Sequence, residues 1–313
     1  MPDKLSVAIV GAGLVGSGWA LVFARAGYSV RAYDPSADVR DRILPWAEKS
    51  LRELADADLL DRPDEVLVRI TVHDSLAVVL AGASYVQESV YETVPAKTEV
   101  SQAIDALMER DAIVGSSSSG IPASKFTEAC ANRGQFLIAH PVNPPHLVPV
   151  VEIVPAPWTT PEAVEMVVEL MRAVNQVPVR LTREIDGFVL NRLQGVLLNE
   201  AWALYQDGIA SLADIDATIA HGLGLRWSFM GPFETIDLNA PGGVEDYAAR
   251  LRGLYAGMVR MPPPGPWPDA VIAKAAAERR SVLPKEGLAE RRAWRDAILA
   301  RLAAFKKSNR LAG

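Results

Sequence analysis

The sequence predicts an α/β fold, a doubly wound and mostly parallel sheet followed by a C-terminal all-α domain, on three observations. Short β-branched runs alternate with stretches of helical periodicity as far as Leu181. A glycine-rich turn joins the first of these runs to the first helical stretch. After Arg183-Glu184-Ile185-Asp186 the strand signal stops and only helical periodicity continues.

The elements follow in order. Strands are predicted at 6–10, 29–33, 69–72, 84–87, 112–114, 136–139, 148–154 and 177–181. Helices are predicted between them at 14–26, 39–56 and 96–109, with Gly27 where a helix C-terminal glycine is expected. Right-handed crossovers then make the sheet doubly wound. Beyond it, apolar residues recur at helical spacing over 188–205, 212–219, 244–254 and 294–305. The Pro-rich segment 261–268 (MPPPGPWP) breaks that half into two helical groups, and the tail 306–313 is expected to fray. A chain of 313 residues holds about two domains at roughly 150 residues each. The boundary is placed between 1–182 and 183–313.

Composition narrows the function classes. Half the residues are apolar and 22% are charged, as in a soluble globular protein with a sizeable core. Thirty-two Lys and Arg against 38 Asp and Glu give a net charge of −6, which argues against a nucleic-acid binder with its basic face. The single cysteine, Cys130, excludes an internal disulfide and a CxxC metal site and points to the reducing cytosol. No metal site is expected. From Val7 to Ala24 no charged residue occurs, which reads at first as a membrane span or a signal sequence. Glycines at 11, 13, 16 and 18 and the lack of a basic leading segment argue against both.

The glycines instead have a mechanical reading. Val7-Ala8-Ile9-Val10 is a buried-strand run, and Gly11-Ala12-Gly13-Leu14-Val15-Gly16 follows at once, opening an amphipathic helix. In a GxGxxG turn the first glycine permits the tight turn, the second lets the backbone approach a pyrophosphate, and the third lets helix and strand pack closely. Amide groups at the helix start then bind phosphate. Asp34 ends the next strand at roughly the twenty-residue distance where a carboxylate bonds the ribose 2′-OH and repels a 2′-phosphate. A Rossmann-type domain that binds NAD in preference to NADP follows. Arg31 and Arg40 are the nearby residues that act against that preference.

Gly11, Asp34, Glu88, Ser116–Ser119 and His140 all fall at the ends of predicted strands, where an open parallel sheet forms its ligand crevice. His140 closes the strand Phe136-Leu137-Ile138-Ala139, and Glu152 stands inside the next apolar strand. A carboxylate there is costly unless paired, and a histidine brought alongside by the turn is the natural partner. An ionised Glu152 would orient the imidazole and stabilise the imidazolium formed when it takes a proton. The alternative is a strand-capping His140 with Glu152 facing solvent. The serines after 112–114 can donate to a substrate oxygen or simply form a turn. His73 reads as a loop residue, His221 as the end of a helix, His146 as a neighbour of the site without a defined role, and Cys130 as structural.

Taken together, these residues resemble the L-3-hydroxyacyl-CoA dehydrogenase superfamily, and more closely its lambda-crystallin branch, which includes L-gulonate 3-dehydrogenase. The resemblance spans nearly the whole chain. It is sharpest in AHPVNPPHLVPVVEIVP at 139–155, GFVLNRLQGVLLNEAW at 187–202 and GLGLRWSFMGPFETIDLNAPGG at 222–243. It implies His140 as general acid–base and Glu152 as its dyad carboxylate. Ser119 and Asn191 become substrate contacts that complete the catalytic set. Glu92, Lys97 and Asn143 join Gly11, Gly13, Leu14, Val15, Gly16 and Asp34 as cofactor residues. It also implies a homodimer through residues 187–310.

Departures from the acyl-CoA enzymes mark the substrate. Ser117-Ser118-Ser119-Gly120 stands where they carry Asn-Thr-Ser-Ser, Pro141-Val142 replaces aromatic residues after the histidine, and Arg226 and Trp227 lie in a longer approach to Gly231-Pro232. The expectation is an NAD-dependent enzyme acting on a small free 3-hydroxy acid, L-gulonate-like, with Arg226 holding its carboxylate or serving only in a salt bridge. The runner-up is an L-3-hydroxyacyl-CoA dehydrogenase, or a carnitine dehydrogenase or diketoreductase. A different class is a non-catalytic, crystallin-like dinucleotide-binding protein.

Overall fold

The computed structural model describes residues 6–258 and 267–309. Its eight strands are β1 (Ser6–Val10), β2 (Ser29–Tyr33), β3 (Ile70–His73), β4 (Tyr85–Glu88), β5 (Ile113–Ser116), β6 (Phe136–Pro141), β7 (Val150–Pro155) and β8 (Val177–Arg180). They form one sheet in the order β3-β2-β1-β4-β5-β6-β7-β8. All neighbours are parallel except β6 and β7, which form an antiparallel pair. The helices α1 (Leu14–Arg25), α2 (Ala37–Asp56), α3 (Pro63–Leu67), α4 (Leu76–Leu80), α5 (Val94–Asp105) and α6 (Pro161–Ala173) are interleaved with them.

Alternation along β1 shows how the two faces are covered. Val7 and Ile9 enter a core with Trp19 and Phe23 of α1, Leu51 of α2 and Val167 of α6. Ala8 and Val10 enter another with Val79 and Leu80 of α4 and Ile104 of α5. A strand buried on both faces reads as an unbroken apolar run, which is the pattern of Val7–Val10. The chain leaves β1 towards β2 and β3 on one side and returns to β4 on the other, so β1 and β4 flank the switch point where such sheets open a crevice.

The uncharged run is thus a strand, a turn and a helix, and no described helix is long and apolar enough to cross a membrane. One expectation needs correcting here. Helix α1 is not amphipathic but buried continuously from Gly16 to Ala24, because it lies sandwiched in the core. The small residue at 18 makes this possible, since a Cβ there would stand 2.8 Å from Pro145 Cγ.

The chain divides into two compact units. The first runs to Arg192 and takes in the last helix from Trp294; the second runs from Leu193 to Ala293. The residues just after 182 stay with the sheet because the amides of Val189 and Leu190 bond a carboxylate on β7. Helix α7 (Leu190–Gln206) begins in the first unit and continues into the second.

The second unit contains α8 (Leu212–Thr218), a π-helical turn at Ile219–Leu223, α9 (Gly224–Trp227), α10 (Pro232–Leu238), α11 (Gly243–Gly257) and α12 (Asp269–Val282). The Ser211 hydroxyl caps α8 by accepting from the Asp214 amide at 3.1 Å. Trp202 stacks on Trp267 with ring centroids 5.0 Å apart, and Tyr205 donates to Glu278 at 2.7 Å. The final helix, α13 (Leu288–Ser308), continues past the point where fraying was expected, while 310–313 lie outside the described residues. Most of the Pro-rich segment, 261–266, also lies outside them.

Candidate active site

The three glycines of the turn do three different jobs. Gly11 has φ of +87°, and a Cβ there would meet the Ser89 backbone at 2.7 Å. A Cβ on Gly16 would stand 1.9 Å from the Gly11 carbonyl oxygen, so only a glycine lets α1 close on the turn. Around Gly13 there is open space, and it is the residue just before α1, with no side chain capping the helix. Leu14 and Val15 open the helix, Leu14 being largely exposed. The leading amides of α1 are therefore available to an anion. Asp34 follows β2 beside this turn; its carboxylate accepts from the Ala12 amide and from the Ser36 amide, each at 3.0 Å. Arg40 donates to the carbonyl oxygens of Asp34 and Pro35 instead of to the carboxylate. An open approach, an uncapped helix start and an adjacent carboxylate fit a dinucleotide with a free ribose 2′-OH.

Three positions of the sheet away, His140 and Glu152 face each other directly across the β6–β7 pair. His140 Nδ1 lies 2.8 Å from Glu152 Oε2, and both side chains are almost wholly buried. The other oxygen, Oε1, accepts from the backbone amides of Val189 and Leu190 at 2.8 and 2.9 Å. Burial alone would raise the Glu152 pKa, but the hydrogen bonds from His140, Leu190 and Val189 outweigh it and hold the carboxyl below its usual range. An ionised Glu152 accepts only, so the proton between the pair sits on Nδ1 and leaves Nε2 as an acceptor.

Residues on either side of Ser119 fix its backbone. Glu92 Oε1 accepts from the Ser118 hydroxyl at 2.7 Å and from the amides of Ser119 and Gly120 at 2.9 and 3.2 Å. Burial works to raise the Glu92 pKa, yet Ser118, Lys97 and the two amides together lower it. Asn191 Nδ2, in the first turn of α7, donates to the Ser119 carbonyl. The Ser119 side chain itself is exposed and has no hydrogen-bond partner among the described residues. Lys97 is fully buried. Its ammonium lies 3.1 Å from both oxygens of buried Glu88 and 3.6 Å from Glu92, so it acts on the turn through carboxylates.

The remaining sequence-predicted residues make none of these hydrogen bonds. Asn143 is exposed in the turn after β6 and has no side-chain hydrogen bond. Arg226 belongs to the second unit, on α9, exposed and without an ion pair among the described residues. His146 is enclosed against Trp46, with ring centroids 5.5 Å apart, and near Arg25; burial pushes its pKa down to about 4. Cys130 is buried, and its thiol is pushed up to about 11 by burial and Asp105.

Sequence reasoning missed Phe188. It is fully buried, has φ of +50°, and its ring centroid lies 5.6 Å from that of His140. With Gly187 at φ +74°, it turns the following amides towards Glu152. The glycine before it was the only trace of this turn in the sequence.

Known proteins resemble the chain over both its N-terminal and C-terminal parts. The NAD binding domain of 3-hydroxyacyl-CoA dehydrogenase matches residues 6–185, and the C-terminal domain of the same enzyme matches 187–281. Lambda-crystallin of Oryctolagus cuniculus is 37% identical over 314 residues, covering 98% of this chain and 98% of its own. The lambda-crystallin homolog of Bos taurus is 41% identical over 309 residues, covering 96% and 95%. The solved structure of 5-formyl-3-hydroxy-2-methylpyridine 4-carboxylic acid 5-dehydrogenase, described as an NAD+ dependent dismutase, superposes with a TM-score of 0.82 at 27% identity, covering 96% of this chain and 99% of that one. A dinucleotide turn fitted for NAD, a helical second unit and end-to-end relatives lead to one conclusion: this chain belongs to the 3-hydroxyacyl-CoA dehydrogenase family and is an NAD-dependent oxidoreductase.

Proposed function

We propose that the protein oxidises the 3-hydroxyl of a small free 3-hydroxy acid, L-gulonate-like, to the 3-keto acid, with His140 and Glu152 as its acid–base dyad. The division of labour on Glu152 carries this reading: one oxygen is held by two backbone amides and the other is given wholly to His140. That fixes the imidazole with Nε2 free to take the proton of the substrate hydroxyl, and the carboxylate stabilises the imidazolium that results. NAD, when bound, supplies the hydride acceptor. Ser119, pinned by Glu92 and Asn191 and with an unengaged hydroxyl, is the donor to the substrate oxygen.

Three observations support a free acid over a CoA thioester. The lambda-crystallin relatives match the chain end to end. A solved structural neighbour is named for a free carboxylic acid. The exposed Arg226 guanidinium has no ion pair among the described residues and is suited to gripping a carboxylate in a bidentate manner. The test is a panel of L-gulonate, 3-hydroxybutyrate, L-carnitine and acetoacetyl-CoA followed by NADH absorbance. The highest kcat/KM is expected for a free acid; preference for acetoacetyl-CoA would overturn the reading.

We also propose a homodimer through the helical part, 187–310. Leu193 and Val196 on α7 are 63% and 72% exposed, an apolar face of the kind that association covers. Light scattering should return a dimer mass, and a monomer mass would reject it.

A further inference from the structure

A chain of hydrogen bonds runs from the core towards the glycine turn, and its direction can be fixed atom by atom. Tyr85, buried on β4, donates its hydroxyl to Gln87 Oε1 at 2.6 Å. The Gln87 amide nitrogen donates to the Ala139 carbonyl at 3.3 Å and to Ser117 Oγ at 2.8 Å. A carbonyl only accepts, so the Gln87 amide cannot be turned the other way. Trp19 Nε1, which only donates, gives its hydrogen to the same Ser117 Oγ at 3.1 Å. These two donors occupy both lone pairs of that oxygen, so Ser117 must pass its own hydrogen to Ser89 Oγ, 2.8 Å away. Ser89 Oγ has no other partner among the described residues, which leaves its hydrogen unspent.

The position of Ser89 says where that hydrogen goes. Ser89 follows β4, its amide donates to the Val10 carbonyl at 2.7 Å, and its backbone is what a Cβ on Gly11 would strike. It therefore stands at the β1/β4 switch point, against the phosphate turn and across β1 from Asp34, which follows β2. If Asp34 serves the adenosine ribose, the β4 side belongs to the other half of the dinucleotide.

We propose that Ser89 is a further cofactor-binding residue, whose hydroxyl donates to an acceptor oxygen of the nicotinamide-side ribose of NAD or of the phosphate that carries it. The preset direction of the chain means that this donor needs no reorientation on binding. The inference is independent of which acid is oxidised.

Direct titration of the intact protein with NADH, followed by fluorescence, tests it without turnover. Ser89→Ala should weaken NADH roughly ten-fold, the scale of one hydrogen bond to a charged or strongly polar oxygen. Ser89→Thr, which keeps the hydroxyl, should recover most of that loss. Binding of 5′-AMP, measured by competition, should be unchanged in Ser89→Ala because AMP lacks the half that Ser89 addresses. Unchanged NADH affinity in Ser89→Ala overturns the proposal. So does an equal loss in Ser89→Thr, or an AMP loss that matches the NADH loss, which would mean only a disturbed turn.

Discussion

Replacing Glu152 with Gln changes one atom of the dyad and should cost most of the turnover. The carboxylate accepts from His140 on one oxygen and from the Val189 and Leu190 amides on the other. A glutamine has a single acceptor oxygen. Two buried amides claim it, since leaving either unpaired costs about 1–3 kcal/mol. The NH2 group then faces His140 Nδ1, which must accept, and the ring proton moves to Nε2, the atom that should take the substrate proton. General acid–base catalysis is worth about 10² to 10⁴-fold, or roughly 3–5 kcal/mol, and that is the expected fall in kcat. The assay is kcat by NADH absorbance with a saturating substrate from the panel, alongside NADH affinity, which should stay within about two-fold because Glu152 contributes nothing to the glycine turn. A Glu152→Gln enzyme with kcat within about three-fold of the parent would refute the tautomer argument and the dyad with it.

Three further predictions follow from other parts of the first unit. Gly13→Ala should leave the thermal midpoint nearly unchanged yet weaken NADH, whereas Gly16→Ala should lower the midpoint because its Cβ would collide with the Gly11 carbonyl at 1.9 Å; a reversed pattern would contradict the roles given to the two glycines. Lys97→Met strands the buried Glu88 carboxylate and should cost about 3–5 kcal/mol in urea unfolding, and an unchanged midpoint would show that the pair carries no stability. The folded pKa of His146, about 4, lies below its ordinary 6.5, so between those values the unfolded chain binds more protons and stability falls as pH drops. That loss amounts to roughly 3 kcal/mol at most, and His146→Phe should flatten the decline of the thermal midpoint between pH 6.5 and 4.5; a slope equal to the parent's would sink the assignment.

The first unit was readable because its physics is local. Strands buried on both faces, such as Val7–Val10, spell themselves as apolar runs, and the glycines of the turn recur at a spacing few other structures need. Glu152 was legible for a different reason: a carboxylate inside Val150–Pro155 has to have a partner. Less readable was anything that depends on which atom donates. Lys97 is a cofactor residue by resemblance, but its burial against Glu88 can be seen only once β4 and α5 are packed. The Ser89 relay depends on Trp19, Gln87 and Ser117, which are far apart in sequence. In the second unit, large apolar residues such as Phe233 and Leu225 stand exposed, so periodicity located helices there without saying which faces they would hide.

The β6–β7 pairing has a consequence beyond the dyad. Pro141 pairs with Val151, His140 with Glu152 and Ala139 with Ile153, so the hydrogen-bonded His140–Glu152 couple is one rung of a ladder. Opposed residues of an antiparallel ladder always project to the same face, whatever the length of the turn that joins them. The proximity of imidazole and carboxylate is therefore encoded as parity, and not as a fixed interval in the chain. Adding or removing residues between Val142 and Pro149 can leave the couple intact, while a single-residue slip along either strand sends one partner to the opposite side of the sheet. Proteins built to the same plan would be found by looking for a histidine and a glutamate on one rung, and a search for a set spacing would pass them by.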